Sequence, residues 1–295
     1  MGYLITICIL SCINIVAVLG MAILTGYTGL FSIGHAGFMA VGAYTSAVLY
    51  LNFHVPFYPA LVLGGLLAGT ASFIIGIPAF RGAGKLRGDY FAIATLGFGE
   101  AVRLLLNTTY KYFGGAYGLT GIPGLTTLPV AAAIAFLALL GAHNLMRSEH
   151  GKNCLAVGQD EVAAQMMGVN LFTTKLKALF ISAFYAGVAG GMFGFYMTYL
   201  SPGNFGISKS SDLLAAVVFG GMQSLIGPTI TGFLLVALPE FLRFLLDWRL
   251  VIYGFLFVVV MVYRPQGMLG YREMSFRWLW KWFRWLKPGK PTPAN

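Results

Sequence analysis

Ionisable side chains are scarce in this sequence, so each of them invites a functional question. Nine Asp and Glu, nineteen Lys and Arg and four His are spread over 295 residues. Glu100 lies within an apolar run three residues before Arg103, and Glu240 stands in the same way before Arg243. An ionisable residue at membrane depth is a functional candidate by default. An i,i+3 pair can also neutralise itself on one helix, and its double use favours structural ion pairs at Glu100–Arg103 and Glu240–Arg243. His35 is the titratable group of a glycine-dense, uncharged stretch over 25–44. It either lines a solute route or holds a broken segment by hydrogen bonding, and the structural role is favoured. Cys8 and Cys12 share one face of an apolar helix, and Cys154 sits in a polar loop. Three cysteines make neither a disulfide framework nor a zinc cluster. There is no glycine-rich phosphate loop, no Ser/His/Asp grouping and no nucleophile elbow. No enzyme, cofactor or metal chemistry is therefore expected, and the chain has no ATP site of its own.

The elements that position these residues must be dissolved in lipid. Hydrophobic residues make up 58% of the chain and charged ones 9%, against about 25% charged in a soluble domain. Thirty-nine glycines suit helices that approach closely without a hydrophobic drive between them. The net charge of +10 is carried by short connections between apolar runs, which argues for the positive-inside pattern rather than a nucleic-acid face.

Apolar runs fall at about 3–24, 33–51, 57–79, 89–107, 128–146, 173–200, 212–222, 228–246 and 250–263. The fold class expected is an all-α polytopic transmembrane bundle of about eight to nine spans. Basic residues place the connections after 79 and 146, and the C-terminal tail, on the cytoplasmic side, with the N-terminus outside. The run 212–222 is short and bounded by Gly220, Gly221 and Pro228, so a discontinuous or re-entrant helix is expected there. Glu100 and Arg103 recur at Glu240 and Arg243, an offset of 140 (240 − 100), and 42–48 (GAYTSAV) faces 182–188 (SAFYAGV) at the same offset. A parallel internal repeat follows. The transmembrane domain is assigned to 1–271. The tail, 272–295, carries Arg277, Lys281 and Arg284 in one stripe among aromatics and reads as a helix anchored in the cytoplasmic interface.

The longest cytoplasmic connection is 147–172. Asp160 and Glu161 lead a short helix within it, Val162, Ala163, Met166 and Met167 make an apolar strip, and Gly168 closes it. A methionine-bearing strip suits docking against a partner, and a plain surface helix is the alternative.

Six stretches in register carry a resemblance: 26–44 (GYTGLFSIGHAGFMAVGAY), 88–103 (GDYFAIATLGFGEAVR), 115–123 (GAYGLTGIP), the loop 151–170, 219–228 (FGGMQSLIGP) and 264–270 (RPQGMLG). Together they resemble the LivM-type permease of branched-chain amino acid ABC importers. The resemblance implies an inner-membrane permease that pairs with a LivH-type permease, two cytoplasmic ATPase subunits and a periplasmic solute-binding protein. It implies a coupling helix in the cytoplasmic loop, with Gly151, Asp160, Glu161, Ala164 and Gly168 as the matching positions. Leu155 and Gly158 depart from the family, which has arginines there, so part of the electrostatic docking is expected to be missing. The solute route is expected along Ser32, Gly34, His35, Phe38, Gly42, Thr95, Gly220 and Gly221. A stand-alone channel or ion-coupled carrier is the rival function, and urea or short-chain amides are the rival solutes.

Overall fold

The computed structural model describes residues 2–81 and 89–241. Arg243, the apolar run 250–263 and the tail 272–295 lie outside them. Helix follows helix: α1 (Gly2–Met21), α2 (His35–Phe53), α3 (Phe57–Arg81), α4 (Asp89–Thr108), α5 (Tyr110–Phe113), α6 (Leu128–Arg147), α7 (Glu149–Gln159), α8 (Glu161–Met166), α9 (Leu171–Met197), α10 (Ile207–Gly220) and α11 (Ile226–Phe241). Among the described residues there is no strand, only an isolated bridge between Leu119 and Leu200. The all-α expectation holds. α1 with its extension, α2, α3, α6 and α9 are long and apolar enough to cross a membrane. The first eight apolar runs coincide with α1, α2, α3, α4, α6, α9, α10 and α11.

α9 is the central post, packed on α1, α2 and α3. Its seam is built from backbone because its residues there are small. Gly42 of α2 and Gly187 of α9 meet with no room for a Cβ. A Cβ at Gly64 of α3 would lie 2.8 Å from the Gly42 carbonyl oxygen, and one at Gly187 would lie 2.9 Å from the Cα of Gly65. Where lipid is as apolar as the helices, such close packing supplies the van der Waals attraction that side-chain burial supplies in water.

The two ends of the bundle are distinct. α7 and α8 occupy one end. At the other end, the loops after α5 and α9 are tied by paired hydrogen bonds between Leu119 and Leu200, of 2.8 and 3.0 Å, and by the Tyr199 hydroxyl donating to the Tyr117 carbonyl. Tyr44 of α2 donates to Leu200 O at 3.2 Å, and Tyr3 at the start of α1 donates to Glu240 near the end of α11. α2, α4, α9 and α11 therefore all run away from the α7–α8 end, so the stretches related by the 140-residue offset cross in the same sense. Their surroundings differ. α9 packs along α3, whereas α2 meets α10 where Ala36 N donates to Ser210 Oγ.

Candidate solute path and coupling element

Between α1 and α2 the chain abandons the α-helix. α1 runs into a π-helix at Ala22–Tyr27, and 29–34 is non-helical before α2 resumes at His35. Wide turns of this kind are uncommon and cluster at functional positions. The break is buried, so its polar groups need partners. Thr25 Oγ1 donates to Leu30 O at 3.1 Å, Thr95 Oγ1 accepts from Ile33 N at 3.2 Å, and Ser210 Oγ of α10 accepts from Ala36 N at 2.9 Å. α4 crosses over this point: a Cβ at Gly34 would collide with the Thr95 carbonyl oxygen, and one at Gly37 would lie 2.8 Å from the Cα of Gly99.

Ser32, Gly34, His35, Phe38 and Thr95 thus gather in one knot where α2, α4 and α10 meet. His35, Ser32, Phe38 and Thr95 are all fully buried. Phe38 lies between the rings of His35, 6.0 Å away, and Phe98, 5.1 Å away. Neither His35 nitrogen, nor Ser32 Oγ, has a hydrogen-bond partner among the described residues. The other residues of the expected route lie elsewhere. Gly42 sits in the α2–α3–α9 seam. Gly220 closes the α10–α11 hairpin against Gly227 and Pro228, and Gly221 turns the chain there at φ +108°.

The connection 147–172 is two short helices joined by tight local chemistry. Gly151 fits the α6–α7 elbow, where its neighbour is the Met146 backbone. Asp160 ends α7 and caps α8, its Oδ1 accepting from Val162 N at 2.8 Å and Ala163 N at 3.1 Å. Gly168 takes φ +84°, and the bonds Gly168 N to Gln165 O and Val169 N to Ala164 O, both 3.0 Å, make it a Schellman stop. Ala164 faces inward and is buried, whereas Val162, Met166 and Met167 are 56%, 83% and 85% exposed. Glu161 does not face outward with them. Its Oε1 is 2.8 Å from Lys175 Nζ of α9, a side chain only 5% exposed that also lies over the Phe80 ring. Lys175 was legible only as one of several flanking basic residues; its role as an internal strut depends on the Gly168 turn folding α8 back on α9.

The departures from the family pattern have a physical reason. A Cβ at Gly158 would strike the Tyr27 carbonyl oxygen, and Leu155 packs against the core. Gly158 faces the end of α1, and Leu155 faces the bundle core. Within α7, burial pushes the Cys154 thiol up to about 12. Burial, with Lys177 nearby, lowers His150 below its ordinary value.

Glu100 and Arg103 form the expected i,i+3 pair at 3.0 Å, partly exposed on the α4 surface. The Glu240 carboxylate accepts from Tyr3; its expected partner Arg243 lies outside the described residues. A polar junction escaped the sequence reading: Asn14 of α1 donates to Gly232 O of α11 at 3.0 Å and accepts from Lys209 Nζ of α10 at 3.2 Å. An asparagine within a first apolar run was the available signal.

The family model described as branched-chain amino acid transport system / permease component matches residues 3–261. The high-affinity branched-chain amino acid transport system permease protein LivM of Escherichia coli K12 is 35% identical, over 88% of this chain and 68% of its own length. The LivH permease protein of the same organism is 28% identical over 48% of this chain and 47% of its own length. The guanosine ABC transporter permease protein NupQ of Bacillus subtilis is 26% identical over 65% and 67%. No solved structure matches. These relatives are permease components, not enzymes. With its helical bundle and a match over residues 3–261, the chain belongs to the branched-chain amino acid transport permease family, as a LivM-type member.

Proposed function

We propose that the chain is one of two permease subunits of an ABC importer that carries branched-chain amino acids across the plasma membrane. In this reading the α7–α8 end is cytoplasmic and receives an ATPase subunit, and the Leu119–Leu200 end faces a solute-binding protein outside. The N-terminus, beside Glu240, is then external and the C-terminus cytoplasmic. A LivH-type permease forms the other half of the path.

The observation that carries the reading is the build of α8. Asp160, Gly168 and the Glu161–Lys175 pair hold a six-residue helix rigidly against α9 while Val162, Met166 and Met167 stay open. An apolar strip on a fixed helix suits insertion into a cleft of a motor subunit. Force applied there would pass through Lys175 into α9 and through Gly158 into the Tyr27–His35 break. The knot of Ser32, Gly34, His35, Phe38 and Thr95 is the closed part of the route, and Gly42, Gly220 and Gly221 support its walls.

The test is ATPase stimulation of the reconstituted importer by leucine, isoleucine and valine, compared with urea, short-chain amides and guanosine. The branched-chain amino acids should stimulate. Stimulation by urea, amides or guanosine alone would overturn the solute assignment. Uptake by the purified chain alone in liposomes, under a proton or sodium gradient, would overturn the ABC reading in favour of an ion-coupled carrier.

A further inference from the structure

The Glu100–Arg103 pair stands between two adjoining hollows on the outer face of α4 and α10. One, of about 550 Å³, is bounded by Gly97, Ala101, Leu104 and Pro202; the other, of about 500 Å³, by Asn204, Gly206, Lys209 and Asp212. Both hollows share Glu100, Arg103 and Gly203. Two acids and two bases, the Lys209 ammonium being held by Asn14 of α1, thus line one continuous groove on a helix face that carries the apolar Leu104 openly beside them. Lipid would be a poor solvent for that face, because ionisable groups at membrane depth turn toward a water-filled cavity or a partner.

The geometry points to this groove as the chain's binding wall for a zwitterionic α-amino acid. Arg103 lies beside Gly206, its Nη1 3.5 Å from where a Gly206 side chain would begin, and Gly206 precedes α10 without a side-chain cap. A carboxylate placed there meets the guanidinium together with the first-turn amides of a fourteen-residue helix. The ammonium then falls to Glu100, with Asp212 on the next turn of α10. When the groove is empty, Glu100 and Arg103 neutralise each other at 3.0 Å. A zwitterion can enter between them by exchanging one ion pair for two, with no isolated charge at any stage. Gly97, Ala101 and Leu104 leave an uncharged wall for an aliphatic side chain. The knot adjoins the groove on the neighbouring faces of the same two helices: next to Glu100 on α4 is Gly99 against Gly34, and next to Lys209 on α10 is Ser210, bonded to Ala36.

The inference rests on the importer reading, and the test separates the two. Complete importer, with its second permease, ATPases and binding protein, is reconstituted in proteoliposomes, and initial uptake of radiolabelled L-leucine is read below half-saturation. If the unmodified importer moves no branched-chain amino acid, the importer reading fails. If it moves leucine, the charge-swapped variant Glu100→Arg/Arg103→Glu decides the groove. A structural ion pair survives exchange, so uptake within tenfold of the unmodified importer overturns the inference. A fall of tenfold or more in a variant that still co-purifies with its partners supports it. Should the swapped variant fail to assemble, Arg103→Gln and Asp212→Asn are held to the same tenfold criterion.

Discussion

Removing the Glu161 carboxylate should release α8 from the bundle. In Glu161→Gln the Lys175 amine, 5% exposed, loses its 2.8 Å partner. Stripping one member from a buried pair costs about 3–5 kcal/mol. The Glu161 side chain is itself 22% exposed, so water reaches the vacated place and the lower end, about 3 kcal/mol, applies. That cost shifts the docked population of α8 by about a hundredfold. The assay is hydrogen exchange of the amides over 162–169 in nanodiscs, where Asp160 and Gly168 now hold the turn. Exchange should accelerate by about that factor in Glu161→Gln. The double variant Glu161→Gln/Lys175→Met, with no charge left to strand, should return most of the protection. Unchanged exchange in the single variant, or a double variant worse than either single one, would refute the strut.

Further outcomes follow from the same geometry. Gly34→Ala drives a methyl into the Thr95 carbonyl and should cost about 3 kcal/mol or more, seen as aggregation or a lowered melting midpoint in detergent. Gly168→Ala meets open space and is opposed only by φ +84°, costing about 1 kcal/mol, with the melting midpoint nearly unchanged. Cys154, raised from 9.0 to about 12, should hold roughly a thousandfold less thiolate at pH 8 than a free thiol; in a Cys8→Ser/Cys12→Ser background, maleimide should label it only after denaturation. Because the folded state lowers His150, its contribution to stability is whole above the unfolded value of 6.5 and is lost as pH falls below it. The protection of α7 amides, taken relative to the intrinsic exchange rate at each pH, should therefore fall between pH 7.5 and pH 5, and His150→Gln should abolish that fall.

The helices were legible because lipid imposes length and apolarity together. Eight apolar runs match helices within a few residues, and Pro228 with Gly220 and Gly221 marked the break between α10 and α11. The interior of the break at 22–34 was less so. Glycine density showed that something irregular must be buried, but the re-entry into α2 depends on Thr95 and Ser210 arriving from α4 and α10 to accept from Ile33 N and Ala36 N, which no local pattern encodes. Glu161 read only as a helix-leading acid of the coupling loop, because its partner Lys175 lies fourteen residues on, across the Gly168 turn. Asp160 and Gly168 were legible because caps and stops are local chemistry.

A seam made of backbone also has a mechanical meaning. Where helices meet through long side chains, a displacement is absorbed as rotamers give way. Between Gly42, Gly64, Gly65 and Gly187 there are no rotamers to yield. α9, twenty-seven residues long, spans about 40 Å from the Glu161–Lys175 strut to the Leu200 loop that leads into α10. A push delivered at one tip is thus carried past this crossing with little give, and α9 behaves there as a stiff rod in a close-fitting sleeve.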